Sequence, residues 1–173
     1  LTMFLLWAFI FSYLSVLHLR LDYAMLSGFA LGFAWLTKSP AIFGLVLLPT
    51  LFVFVPRINL KNVFVSCFLF LVTFGIAFGM YNILRLGPEF HQIALRNKDY
   101  LYSLSEILSH PLDPLIPHLR DTISFYFYLT TPLSLLFIVW GIFAGRLSHW
   151  RTRLVLALWW LLPIVIETSF AKA

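Results

Sequence analysis

Apolar residues run along this chain in long blocks, 1–17, 23–55, 62–84, 122–145 and 154–170, separated by short polar intervals. Blocks of this length are candidate membrane spans, because about 20 apolar residues in a helix cross the hydrocarbon core of a bilayer. The second block is too long for one ordinary span. As a single helix it would reach about 50 Å at 1.5 Å per residue, against a core of about 30 Å. Near its middle lies Leu36-Thr37-Lys38-Ser39-Pro40-Ala41. Proline disfavours helical geometry in the residue before it, which predicts a break at Lys38-Ser39 and two helices, 23–37 and 40–55, with Pro40 in the first turn of the second. The expected architecture is all-α: a polytopic transmembrane helical bundle of six segments, 1–17, 23–37, 40–55, 62–84, 122–145 and 154–170, with Pro132 kinking the fifth.

Charge placement bears on the same break. With a hairpin at Lys38, the intervals holding Arg20, then Arg57 and Lys61, then Arg146, Arg151 and Arg153 all fall on one side of the membrane. The positive-inside rule makes that side cytoplasmic, whereas one long second span would put Arg57 and Lys61 opposite Arg20. The 86–121 stretch then becomes a long extracytoplasmic loop with structure of its own. Gly87-Pro88-Glu89 is a helix start, with Phe90, Ile93 and Ala94 on one face; Ser103-Leu104-Ser105-Glu106 fits a capping box for a second short helix. Pro111, Pro114 and Pro117 predict an extended return to the membrane. Short interfacial helices of this kind shape a pocket at the surface.

Composition removes other classes. Hydrophobic residues are 61% of the 173 and charged residues 11%, with a mean hydropathy of +0.93, more than any soluble single domain needs for its core. The net charge of +5 comes from basic residues between apolar blocks and not from a basic stripe with stacking aromatics, which argues against nucleic acid as a partner. Cys67 is the single cysteine and lies within an apolar block, so neither a disulfide framework nor a cysteine zinc site can be built. The chain starts without methionine inside an apolar block and stops just after another; residues 1–17 lack the charged region and cleavage site of a signal peptide. A partial transmembrane domain, with further parts at both ends, is the expectation.

On this topology most ionisable residues outside the basic intervals gather at the extracytoplasmic face. A lysine in an apolar block is costly unless a turn, a watery cavity or an anionic partner receives it, and that singles out Lys38. Lys38, Arg85 and Arg96, with Lys98 near by, are candidates for a phosphate clamp, since charge-assisted bonds from lysine and arginine hold phosphates well. Each has a plainer alternative: snorkelling for Lys38, an interfacial anchor for Arg85, a solvated loop charge for Arg96. Glu89, His91, Asn97, Tyr100 and Glu167 are candidate pocket-lining residues. His91, His110 and His118 lack the helical spacing of metal ligands, so no metal site is assigned. No cofactor is fixed by the sequence; a divalent cation is compatible with it.

The residues Gly28-Phe29-Ala30-Leu31-Gly32-Phe33-Ala34-Trp35-Leu36-Thr37-Lys38-Ser39-Pro40-Ala41, followed by Leu47-Leu48-Pro49, resemble the hairpin motif of integral-membrane glycosyltransferases of the GT-C superfamily. Similar proteins are the lipid A aminoarabinose transferase and the protein O-mannosyltransferases. Ser39 stands where glycine is usual. Leu86-Gly87-Pro88-Glu89-Phe90 resembles the segment opening the family's later extracytoplasmic loop, Arg96-Asn97 lies where a basic residue is frequent, and 167–172 resembles the approach to the next helix start. The resemblance implies transfer of a sugar from a polyprenyl-phosphate carrier to a glycan, lipid or protein acceptor at the outer face of a cell membrane. It implies a catalytic Asp or Glu upstream of Leu1. Lys38, with Arg96 or Arg85, would stabilise the departing lipid phosphate. Two other classes compete: a transporter or flippase with a discontinuous helix at Lys38, and a non-catalytic membrane scaffold.

Overall fold

A computed structural model describes residues 1–56, 59–88, 90, 92, 95, 102, 104–109, 112–129, 132–143 and 150–170. Among the described residues the chain is all-α, with no strand. The helices are α1 (Thr2–His18), α2 (Leu21–Thr37), α3 (Ile42–Leu47), α4 (Leu60–Asn82), α5 (Leu104–Ser109), α6 (Leu112–Leu129), α7 (Pro132–Phe143) and α8 (Trp150–Phe170). Three-residue-per-turn segments Ser39–Ala41 and Leu48–Phe54 flank α3, so that Ser39–Phe54 forms one continuous helical stretch, and another, Ile83–Leu86, follows α4. The chain divides into two compact units, Leu1–Phe90 and His91–Ala173.

In the first unit successive segments alternate in direction. Phe4 stacks on Phe33 at 5.7 Å and Ser12 bonds Ser27 at 2.6 Å, so α1 and α2 are antiparallel. Leu5 lies against Gly44 and Tyr13 against Phe54, so Ser39–Phe54 runs parallel to α1. Thr73 bonds the carbonyl of Ala24, and Trp35 stacks on Tyr81, so α4 runs parallel to α2. One end of this bundle thus carries Arg20, Pro56 and Lys61; the other carries Lys38, Tyr81 and the Ile83–Leu86 turn.

Small residues set the spacing. Ala24, Gly28 and Gly32 recur every fourth position along α2, bringing α4 close enough that a Cβ on Gly28 would lie 2.8 Å from Ile76 Cβ and 3.0 Å from the Thr73 carbonyl oxygen. Close approach of this kind is how helices associate where burial in hydrocarbon gives no advantage over lipid. The interior mixes small and hydroxyl residues, among them Ala8, Ser12, Ala24, Ser27, Gly28, Ser66, Thr73 and Ala77, with the larger Leu31, Leu47, Leu48 and Leu51. The exterior is bulky and apolar, with Phe64 75%, Phe68 57% and Leu71 67% exposed on α4. Helix α4 is long and apolar enough to cross a membrane: its 23 residues reach about 35 Å. It starts at Leu60, two residues before the apolar block does, because the Asn59 side chain accepts the Asn62 amide at 2.8 Å as an N-cap.

In the second unit α6 packs with α8, where the Tyr126 and Trp160 rings meet edge to face at 5.9 Å, and Val155 is buried. The proline-rich stretch differs from expectation. Pro114 and Pro117 lie within α6, which begins at Leu112, in place of an extended return. Pro114 is in the first turn, where its missing N–H has no intrahelical acceptor to lose; Pro117 forfeits one bond, which the rest of an 18-residue helix outweighs. The expected 86–121 loop is therefore helical from Leu112 onward. Pro132 opens α7 at a first-turn position, and residues 130–131 lie outside the described set. A short helix occupies Leu104–Ser109, as the Ser103-Leu104-Ser105-Glu106 pattern predicts; Ser103 itself lies outside the described residues.

Candidate functional site

Helix α2 stops at Thr37, whose Oγ1 turns back to donate to the Ala34 carbonyl at 2.6 Å. Lys38 is extended, with φ −159° and ψ 135°, and the next helical stretch begins at Ser39 with Pro40 in its first turn. The reversal therefore falls on Lys38 itself, one residue before the pre-proline position. Both of its backbone groups are bonded: the Lys38 amide donates to Ala34 at 3.1 Å and its carbonyl accepts from Ala41 at 3.1 Å. A reversal with no orphaned backbone group is tolerable even where water is scarce.

Beneath the turn lies an apolar floor. Ala34, Trp35 and Ala41 form a buried cluster on which Phe4, Leu5, Leu45 and Tyr81 pack. The Trp35 and Tyr81 rings are stacked at 4.4 Å with 14° between their planes, and Phe90 meets Tyr81 edge to face at 6.4 Å. The Lys38 side chain is exposed, and among the described residues no carboxylate pairs with it. A turn whose cation is not engaged by an acid can bind an anion without first breaking an internal ion pair.

Of the other candidates, Arg85 lies in the Ile83–Leu86 turn, at the same end of the bundle as Lys38; its side chain lies outside the described set. The structure thus brings these two backbones to one end. Glu89, His91, Arg96, Asn97 and Tyr100 lie outside the described residues. Of the expected interfacial helix after Gly87, only Phe90, Gln92 and Leu95 are described, and each is helical. Glu167 is in α8 of the second unit, and its side chain lies outside the described set. Among the described residues no three His, Cys, Asp or Glu side chains gather as metal ligands.

The Gly28-to-Ala41 motif splits into two jobs. Gly28 and Gly32 serve α2–α4 packing, while Thr37, Lys38 and Pro40 build the turn. Nothing in the sequence pattern signals that Trp35 and Tyr81 pair near this turn. Their separation of 46 positions leaves no periodic signal; only the parallel α2–α4 contact reveals it. No family model, curated protein or solved structure compared with this chain matches it.

Proposed function

We propose that this chain is part of a multi-pass integral-membrane glycosyltransferase of the GT-C type, acting on a polyprenyl-phosphate-linked sugar at the extracytoplasmic face of a cell membrane. In this reading Lys38 contacts the lipid phosphate. The observation that carries it is the exposed Lys38, which pairs with no carboxylate among the described residues, on a helical turn at the bundle end opposite Arg20 and Lys61. Three features support the membrane setting. Small and hydroxyl residues line the α2–α4 seam while many phenylalanines are exposed on the outside; the charges sit at helix ends; and the alternating segments put Arg20 and Lys61 on a common side.

The chemistry follows from charge. When the glycosidic carbon–oxygen bond to the carrier breaks, negative charge develops on the phosphate oxygen, and a fixed ammonium beside it lowers the barrier. Arg85 shares that end and is the second cation of the site; Arg96 is the third candidate. The acceptor hydroxyl or amine loses its proton to a base, which the resemblance places upstream of Leu1. The position of the break, at a bundle end and away from mid-depth, weighs for a phosphate contact over a transport site between half-helices.

The test is binding of polyprenyl phosphate to the full chain in detergent micelles, with the uncharged polyprenol of equal length as control. The wild type should prefer the phosphate, and Lys38→Ala should remove most of that preference while leaving polyprenol binding unchanged. Equal affinity of wild type and Lys38→Ala for the phosphate would overturn the assignment.

A further inference from the structure

The turn at Lys38 and the Ile83–Leu86 turn are tied together by a chain of aromatic rings. The Lys38 reversal is built on Ala34, whose carbonyl accepts the Lys38 amide at 3.1 Å, and on Ala41, whose amide donates to the Lys38 carbonyl at 3.1 Å. Both alanines are fully buried and form one cluster with Trp35. Tyr81 packs on that cluster, its ring stacked on Trp35 at 4.4 Å with 14° between the planes. It is the next-to-last residue of α4, and the Ile83–Leu86 turn follows directly. Successive closures then bring the chain back: the Gly87 amide donates to the Leu84 carbonyl at 3.1 Å, and the Phe90 amide to the Gly87 carbonyl at 3.3 Å. Phe90 thereby meets Tyr81 edge to face at 6.4 Å. The turn that carries Arg85 is thus held on both flanks by one tyrosine, which is itself held against the residues that bond the Lys38 backbone.

We propose that Tyr81 is a positioning residue. Resting on the reading of Lys38 as a phosphate contact, it holds the Ile83–Leu86 turn in register with the Lys38 reversal, so that the cations of the two turns meet one phosphate group together. It acts through Trp35 and Phe90. Cations on turns that move independently must each be ordered when the anion binds, and that cost is subtracted from affinity; cations on turns locked to each other beforehand are spared most of it. Stacked and edge-to-face ring pairs have preferred geometries, so a ring engaged in both contacts fixes orientation as well as distance. Packing alone would make Tyr81 a contributor to stability. Positioning makes phosphate affinity depend on its ring, and only through Arg85.

A double-mutant cycle on polyprenyl phosphate binding to the full chain in detergent micelles, with polyprenol as control, tests this. Arg85→Ala should lower phosphate affinity about tenfold, the scale of a hydrogen bond to a charged group. Tyr81→Ala should lower it about three- to tenfold in the wild-type background and less than about twofold in Arg85→Ala, where no second cation is left to position. Tyr81→Phe, which keeps both ring contacts, should bind as wild type does, and polyprenol binding should not change in any variant. Equal losses from Tyr81→Ala in both backgrounds would give the ring a packing role only and overturn the proposal, as would an unchanged affinity. Phe90→Ala frees the far flank and leaves the α2–α4 stack whole, so it should reproduce the Arg85-dependent loss even where Tyr81→Ala does not fold; a loss independent of Arg85 would overturn the proposal equally. If Lys38→Ala removes the phosphate preference while Tyr81→Ala keeps the contribution of Arg85, the positioning role alone fails. If the wild type does not prefer phosphate to polyprenol, the reading of Lys38 fails and takes this role with it.

Discussion

The two ends of the first unit each carry a basic residue in a turn between helices, and the two are held in opposite ways. Arg20 follows Leu19, which caps α1 in the left-handed conformation at φ 51° and ψ 45°. Its guanidinium bonds Asp22 through two nitrogens, Nε at 3.0 Å among them, and lies 4.8 Å from the Tyr23 ring centroid. The bond to Asp22 holds the Arg20 pKa above its ordinary value. Its carbonyl also accepts from Ser15. Among the described residues Lys38 has only its backbone bonds, and its side chain is exposed. A turn charge that closes on its own neighbours finishes a fold. One left open is available to something outside the chain.

The comparison breaks first at Lys38. Lys38→Ala should weaken polyprenyl phosphate binding about tenfold or more, the scale of a hydrogen bond to a charged group, whereas Arg20→Ala should leave it within about twofold. Equal losses from both variants would mean that net charge, and not an open cation, governs binding.

A second prediction concerns the seam that keeps the two ends apart. Gly28→Ala forces backbone against backbone, because the new Cβ meets the Thr73 carbonyl and Ile76 Cβ, and should cost about 1–3 kcal/mol. Gly79→Ala, which meets nothing within 4 Å, should leave the thermal midpoint unchanged or slightly raised. Thermal unfolding of both variants in detergent checks this; a Gly79→Ala loss as large as that of Gly28→Ala would show that the exposed side of α4 is packed as well.

How much of this was legible in the sequence depends on the range of the interaction. Helical content and the turn at Lys38 follow from local signals: continuous apolar blocks and a proline whose ring restricts the residues before it. The Asn59 cap is equally local, yet it was hidden because the polar residues 59–61 resemble loop when only hydropathy is followed. Helicity through Pro114 and Pro117 was misjudged because three prolines in seven residues suggest extended chain, while their places in the first two turns make two of them tolerable. The hydroxyl bonds Ser12–Ser27 and Thr73–Ala24 and the Trp35–Tyr81 stack depend on helix pairing, which single-residue chemistry does not encode. At the candidate site, Lys38 could be singled out from its cost in an apolar block, but that no carboxylate among the described residues pairs with it emerged only from the fold.

A third variant sharpens the contrast by making Lys38 resemble Arg20. Ser39→Asp places a carboxylate beside the lysine as Asp22 stands near Arg20, and should lower phosphate affinity severalfold, less than removal of the lysine, because an exposed pair is weak and can open. Isothermal titration with polyprenyl phosphate reads the difference. An unchanged affinity would mean that the bound phosphate does not lie over this turn.

The smallest effect belongs to the closed end. Leu19 is the one non-glycine residue with positive φ among the described residues, and Leu19→Gly removes a left-handed penalty of about 1–2 kcal/mol. The same change deletes a half-buried side chain and gives the unfolded chain more freedom, each opposing the gain by a similar amount. The net shift in unfolding midpoint should therefore stay within about 2 °C. Phosphate affinity should not move at all, since Leu19 and Lys38 are at opposite ends of α2. If binding falls in Leu19→Gly while the fold stays intact, the two ends are coupled through the bundle, and the open turn at Lys38 can no longer be treated as a site independent of the Arg20 turn.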